Sequence, residues 1–168
     1  MKTIKKILVP TDFSELSTAA IDYAASLAET YGAKIYMLYV IEGERSHGLP
    51  PVEGSSESMP VAGEEEGKRE LHRFAYRKQK EIGDVIEVVR AGKAQTEILR
   101  FAKEEGIDLI VMATHGRTGL AHVFMGSVAE RVVRTSRVPV LTVKPASFPN
   151  YLVTEKDIEE DLRLKVQV

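Results

Sequence analysis

The residues best suited to do chemistry lie in two short stretches. The first runs Ala113-Thr114-His115-Gly116-Arg117 and, with nine residues between Gly116 and Gly126, reaches Gly126-Ser127-Val128. Before it stands Ile107–Met112, an apolar run interrupted only by Asp108, which reads as a strand buried on both faces. Ser127 followed by Glu130 has the capping-box spacing S-x-x-E and predicts that a helix begins there. A loop that leaves a buried strand and closes on a helix N-terminus offers unpaired N–H groups and the positive end of a helix dipole. The chemistry it predicts is anion binding. The second stretch, Pro10-Thr11-Asp12, follows the strand candidate Ile4–Val9. Asp12 there caps the helix that starts near Ser14, or turns the chain, or carries a functional carboxylate.

Other residue types narrow the chemistry. His115 and His122 are seven apart, but their loop has no cysteine and no acidic neighbour, so a histidine near phosphate is a better reading than a metal ligand. Arg117 either pairs with a phosphate or faces water. The chain lacks G-x-x-x-x-G-K-[ST], and V-P-T-D-F-S follows its first strand where a dinucleotide fold would carry G-x-G-x-x-G. No serine sits in a G-x-S-x-G elbow. No carboxylate in the central loop is placed to activate water, which argues against efficient hydrolysis.

The elements that must position these residues alternate regularly. Ile4–Val9 is a strand stopped by Pro10, and Leu16, Ala20, Tyr23, Ala24, Leu27, Ala28 and Tyr31 form one helical stripe ending at Gly32. Ile35–Ile41 is a second strand, and strand-helix-strand without a hairpin turn means a parallel crossover. A charged helix, Glu64–Ile82, has Leu71, Phe74, Ala75 and Ile82 as its inner face. Val85–Val89 is the third strand, and Ala94, Ile98, Phe101 and Ala102 mark a helix ending at Gly106. A helix from Ser127 to about Arg137 and a strand Val138–Val143 follow, with Pro139 favouring a sheet edge. Five strands and four helices predict one open, doubly wound α/β sheet. Residues 42–63, rich in Gly, Pro and Ser, read as a mobile loop, either a tolerated insertion or a flap. In the extension 146–168, Leu162, Leu164, Val166 and Val168 alternate with polar residues and suggest a docked terminal strand.

Composition sets the outer bounds. The 168 residues are 43% hydrophobic and 29% charged with a formal net charge of −2, which suits a single globular domain and gives no reason to expect nucleic acid or acidic membranes as partners. There is no cysteine, hence no disulfide or thiol chemistry. No signal-peptide pattern and no apolar window of membrane-spanning length is evident, so the expected compartment is cytoplasmic.

Taken together, KKILVPTDFSE at the start, the glycine pattern of the central loop and RVPVLTVKP at the end resemble the universal stress protein family over about residues 2–145. The resemblance implies strand order 3-2-1-4-5, with the loop Pro10–Asp12 facing the loop Ala113–Val128 across the switch point. It implies ATP as ligand, Asp12 on the ribose, the backbone of Val40 on the adenine edge, and the phosphates on the central loop. Mg²⁺ would arrive with the phosphates, and the protein would act as a homodimeric nucleotide-dependent switch in a stress response. Two alternatives stay open: slow ATP hydrolysis or adenylyl transfer on the same fold, and a member that binds no nucleotide and works through protein contacts. The second is kept alive by Ala113, which stands where the family signature has its first glycine. Alanine would hinder binding if that position needs φ > 0 and would be harmless at a strand end with φ < 0.

Overall fold

A computed structural model describes residues 3–42, 63–83, 85–114 and 126–144. The elements are β1 (Lys6–Thr11), α1 (Glu15–Tyr31), β2 (Lys34–Ile41), α2 (Glu64–Ile82), β3 (Val85–Ala91), α3 (Ala94–Glu104), β4 (Leu109–Ala113), α4 (Ser127–Thr135) and β5 (Val140–Val143). The five strands form one sheet in the order β3-β2-β1-β4-β5, every neighbouring pair parallel. This is the expected fold and strand order. Most of the expected loop 42–63, all but its end residues Glu42 and Gly63, and the extension 146–168 lie outside the described residues.

Period-two alternation along the strands sorts the core into two layers. Ile7 and Val9 of β1, with Ile35 and Met37 of β2, pack against Ala20, Ile21 and Ala24 of α1 and Leu71, Phe74 and Ala75 of α2. Leu8, Leu38, Ile110 and Met112 point the other way, onto Ile98, Phe101 and Ala102 of α3 and Ala129 and Val132 of α4. All five residues of β4 are buried, as a strand covered on both faces must be. Each fully buried Leu, Ile or Val contributes about 1.5–3 kcal/mol, so the sheet interior is the main source of stability. Asp108, the one polar residue in the fourth apolar run, lies just before β4. Its Oδ2 accepts from the backbone N–H of Lys5 and Lys6 at 2.8 and 3.0 Å, tying the start of β1 to the start of β4.

Two expectations are corrected. Pro10 does not stop β1, which continues through it to Thr11, with Pro10 opposite Leu38 of β2. The β1–β4 ladder extends only over Ile7 and Leu8, so Pro10 has a paired strand on one side alone, and a residue without N–H is tolerated there. On α1, Tyr23 and Tyr31 are more than half exposed, while Ile21 and Ser17 are buried in their place. The apolar stripe was legible, but aromatic rings at its margin were counted into it. Among the described residues Pro139 does precede an edge strand: β5 pairs only with β4 there.

Candidate functional site

The strands part at their carboxyl ends. The β1–β2 ladder stops at Thr11↔Tyr39, whereas β2–β3 runs on to Ile41↔Ala91. The β1–β4 ladder stops at Leu8↔Ile110, whereas β4–β5 runs on to Ala113↔Val143. Crevices therefore open on both sides of the end of β1, which is where strand order reverses and where such sheets bind ligands. A cavity of about 480 Å³ occupies this place. Three helix N-termini reach its walls, and each is finished differently.

The first wall is the end of β1 and the start of α1. Thr11 and Ser17 are buried and their hydroxyl oxygens lie 3.1 Å apart. The N–H of Phe13 donates to Thr11 Oγ1 at 3.1 Å, and Phe13 adopts φ 64°, a left-handed backbone rare for an aromatic residue. Its ring is held by Tyr39 and Phe74, with centroids 4.5 and 5.5 Å away. Ser14 caps α1, accepting from the N–H of Ser17 at 3.2 Å. Asp12 Oδ1 in turn accepts from the N–H and the Oγ of Ser14, at 3.1 and 2.6 Å. Asp12 thus turns the chain and steadies the cap while lining the cavity. The structural and functional roles share one carboxylate.

The second wall is the end of β4 and the start of α4. Ala113 is the last residue of β4, opposite Val143, and its φ is not positive. A side chain costs nothing in that backbone, so the alanine departs from the family pattern without strain. Thr114 donates its N–H to the carbonyl of Val143 at 3.0 Å, and its own carbonyl accepts from the N–H of Gly126 at 2.7 Å. That bond fixes the N-cap of α4 against the end of β4. The expected capping box is corrected here. The N-cap is Gly126, with φ −64° and ψ 149°, and Ser127 is already the first helical residue. Among the described residues no side chain caps α4, and Glu130 pairs with Arg134 rather than reaching back. Because the capping position is a glycine, the first-turn N–H groups of α4 have no side-chain acceptor among the described residues, and Gly126, Ser127, Val128 and Ala129 line the cavity.

The third wall is the end of β2 and the start of α3, and it is mostly apolar: Leu38, Val40, Ala94 and Ile98, with Met112 from β4. Glu42, just past β2, accepts from the N–H of Ala94 at 3.0 Å and caps α3 from outside the helix, since Lys93 at the N-cap position gives no side-chain bond.

Of the residues singled out from sequence, Pro10, Thr11, Asp12, Val40, Ala113, Thr114, Gly126, Ser127 and Val128 converge on this one cavity. His115, Gly116 and Arg117 lie outside the described residues. Glu42, Ala94 and Ile98 escaped the sequence reading. The signal for Glu42 was its place directly after a strand's carboxyl end, which the loop reading of 42–63 had absorbed.

Residues 3–144 match the model of the universal stress protein family. The chain belongs to that family. Universal stress protein MJ0531 of Methanocaldococcus jannaschii is 38% identical over 140 residues, covering 83% of this chain and 82% of its own length. MJ0577 of the same organism is 34% identical over 154 residues, covering 83% and 94%. A solved structure of MJ0577 superposes with a TM-score of 0.67 at 29% identity, over 87% of this chain and 99% of that one. A crystal structure of a universal stress protein in complex with cAMP superposes at 0.63 with 23% identity, over 85% and 98% of the two chains, a likeness of fold. Among the described residues of this universal stress protein, no helix is long and apolar enough to cross a membrane.

Proposed function

We propose that this universal stress protein binds ATP in the switch-point cavity and acts as a nucleotide-dependent switch in a stress response. One observation carries the reading: a single cavity of about 480 Å³ joins the uncapped N-terminus of α4 to an apolar recess at the end of β2. That volume falls in the range of small-molecule sites. Phosphates would lie on the first-turn N–H groups of α4, where the helix dipole favours negative charge. The ribose would lie by Asp12, and the base between Val40 and Ile98. Mg²⁺ would enter with the phosphates, since magnesium keeps most of its waters and needs few protein ligands. The shared fold of the cAMP complex agrees with an adenine nucleotide as the class of ligand. Ala113, the residue that left a nucleotide-free role open, weighs little against binding at a strand end without positive φ.

The homodimer belongs to the same proposal. β5 forms one edge of the sheet, with Leu141 exposed on it and Val133 exposed on neighbouring α4. An edge strand with apolar cover is suited to pair with its own copy about a two-fold axis.

Calorimetric titration with Mg-ATP tests the nucleotide reading. The parent protein should bind, and Gly126→Val should lose most of the affinity while circular dichroism stays that of the folded sheet. A φ of −64° accepts a β-branched residue, so a folded variant is expected. Undiminished binding by folded Gly126→Val would put the nucleotide elsewhere.

A further inference from the structure

We infer that Glu42 is a specificity-determining residue that selects a 6-aminopurine over a 6-oxopurine at the base end of the cavity; this rests on the proposed binding of a nucleotide there. Among the described residues lining the cavity, only Asp12 and Glu42 are charged, and they stand at different walls. Asp12 is engaged with Ser14 at the start of α1. Glu42 is the one charged side chain at the apolar end formed by Leu38, Val40, Ala94 and Ile98. A carboxylate in such a place decides what a ring edge there must offer. An ionised carboxylate only accepts hydrogen bonds.

The side chain is also preorganised. Its Oε1 already accepts from the N–H of Ala94 at 3.0 Å, at the positive end of α3. A ligand therefore meets a carboxylate already held in place by its helix, and less side-chain freedom is lost on binding. The exocyclic amine of adenine has two N–H donors. One suits a main-chain carbonyl at the end of β2, where the β1 ladder has already stopped at Tyr39 and leaves the strand open on that side. The other suits Glu42. Hypoxanthine or guanine in the same orientation turns an oxygen toward the carboxylate. Two acceptors then face each other without a proton between them, and because Glu42 is exposed the penalty is the lost hydrogen bond rather than the burial of an unpaired charge.

The test compares Mg-ATP with Mg-ITP, which differ at the 6-position, in the parent, Glu42→Gln and Glu42→Ala. The parent should prefer ATP by about two- to ten-fold, the net worth of one hydrogen bond at an exposed carboxylate. Glu42→Gln keeps an oxygen for Ala94 N–H and gains an amide donor for the 6-oxygen, so the ATP:ITP preference should fall to about parity with little change in melting temperature. Glu42→Ala should also flatten the preference while lowering the melting temperature. A purely structural cap would give the opposite pattern: lower melting temperature with the base preference intact. That result, or a parent binding ITP or GTP as well as ATP, overturns the assignment while leaving nucleotide binding standing. A parent that binds neither nucleotide overturns both.

Discussion

The helices α1 and α4 begin at the same cavity and are finished in opposite ways. At α1 the chain is closed by side chains: Ser14 caps Ser17 N–H, Asp12 holds Ser14, and Thr11 receives Phe13 N–H. This closure includes a left-handed Phe13, a conformation that costs on the order of 1–3 kcal/mol and persists because its ring packs on Tyr39 and Phe74. At α4 the capping residue is a glycine held to Thr114 by its own N–H, and among the described residues no side chain caps the helix. A helix start that has already taken an acidic partner has little left for a phosphate. A helix start without one, as at α4, has the N–H groups of Ser127, Val128 and Ala129 and a dipole to offer. On the proposed reading, this difference is what would place an anion on α4 rather than on α1, although residues at both helix starts line the same cavity.

The sharpest way to break this contrast is to give α4 what α1 already has. Gly126→Asp places a carboxylate acceptor at the N-cap, and φ −64° with ψ 149° accommodates it. Asp is a better N-cap than Gly by a few tenths of a kcal/mol, so thermal stability should hold or rise slightly. Mg-ATP affinity should fall about a hundred-fold or more, roughly 2.7 kcal/mol, because a fixed negative charge would occupy the phosphate position. Stability and affinity would move in opposite directions. A loss of both together would mean that the variant damaged the fold and would leave α4 without a special role.

A milder perturbation comes from the α1 side. Asp12→Ala removes the acceptor for both Ser14 N–H and Ser14 Oγ. Affinity for Mg-ATP should weaken by about 1–3 kcal/mol if the same carboxylate also receives the ribose. The melting temperature should drop too, because the cap loses its support. Asp12→Asn separates the two roles: the amide oxygen keeps the bond to Ser14 N–H, whereas charge-assisted contacts to the ribose are weakened. Calorimetry and thermal melts on the pair should show affinity lost in both variants and stability lost mainly in the alanine. Equal affinities for parent and asparagine variant would reduce Asp12 to a turn residue.

What could be read from the sequence follows from how local each signal is. Alternating strand and helix periods gave the parallel sheet, and Gly126-Ser127 located the start of α4 to the residue. Which residue caps it was misjudged, since Ser and Gly both qualify as N-caps and only the backbone angles choose between them. Phe13 could not be foreseen, because no single-sequence rule expects an aromatic residue at positive φ; the packing against Tyr39, 26 positions later in the chain, and Phe74 decides it. Glu42 was hidden for a similar reason. Its partner Ala94 is 52 residues away, and only the closure of β2 onto β3 brings them together. Pro10 was misread because a proline signals a strand end only where both neighbours are paired, and pairing is a property of the sheet.

The smallest expected effect concerns Ala113, next to the uncapped helix. The family pattern would put glycine here, and a glycine requirement would have two possible physical sources: a positive φ or a backbone that must touch the ligand without a Cβ between them. The first is absent, since Ala113 ends β4 in ordinary extended pairing with Val143. The second is answerable by experiment, because the alanine lines the cavity and is 8% exposed. Ala113→Gly should leave Mg-ATP affinity within about two-fold of the parent. Stability should fall by roughly 0.5–1 kcal/mol, the cost of glycine in a strand interior. A marked gain in affinity on calorimetric titration would instead mean that the methyl group crowds the phosphates. The contrast between α1 and α4 would then be incomplete, with α4 uncapped yet partly obstructed by the strand that leads to it.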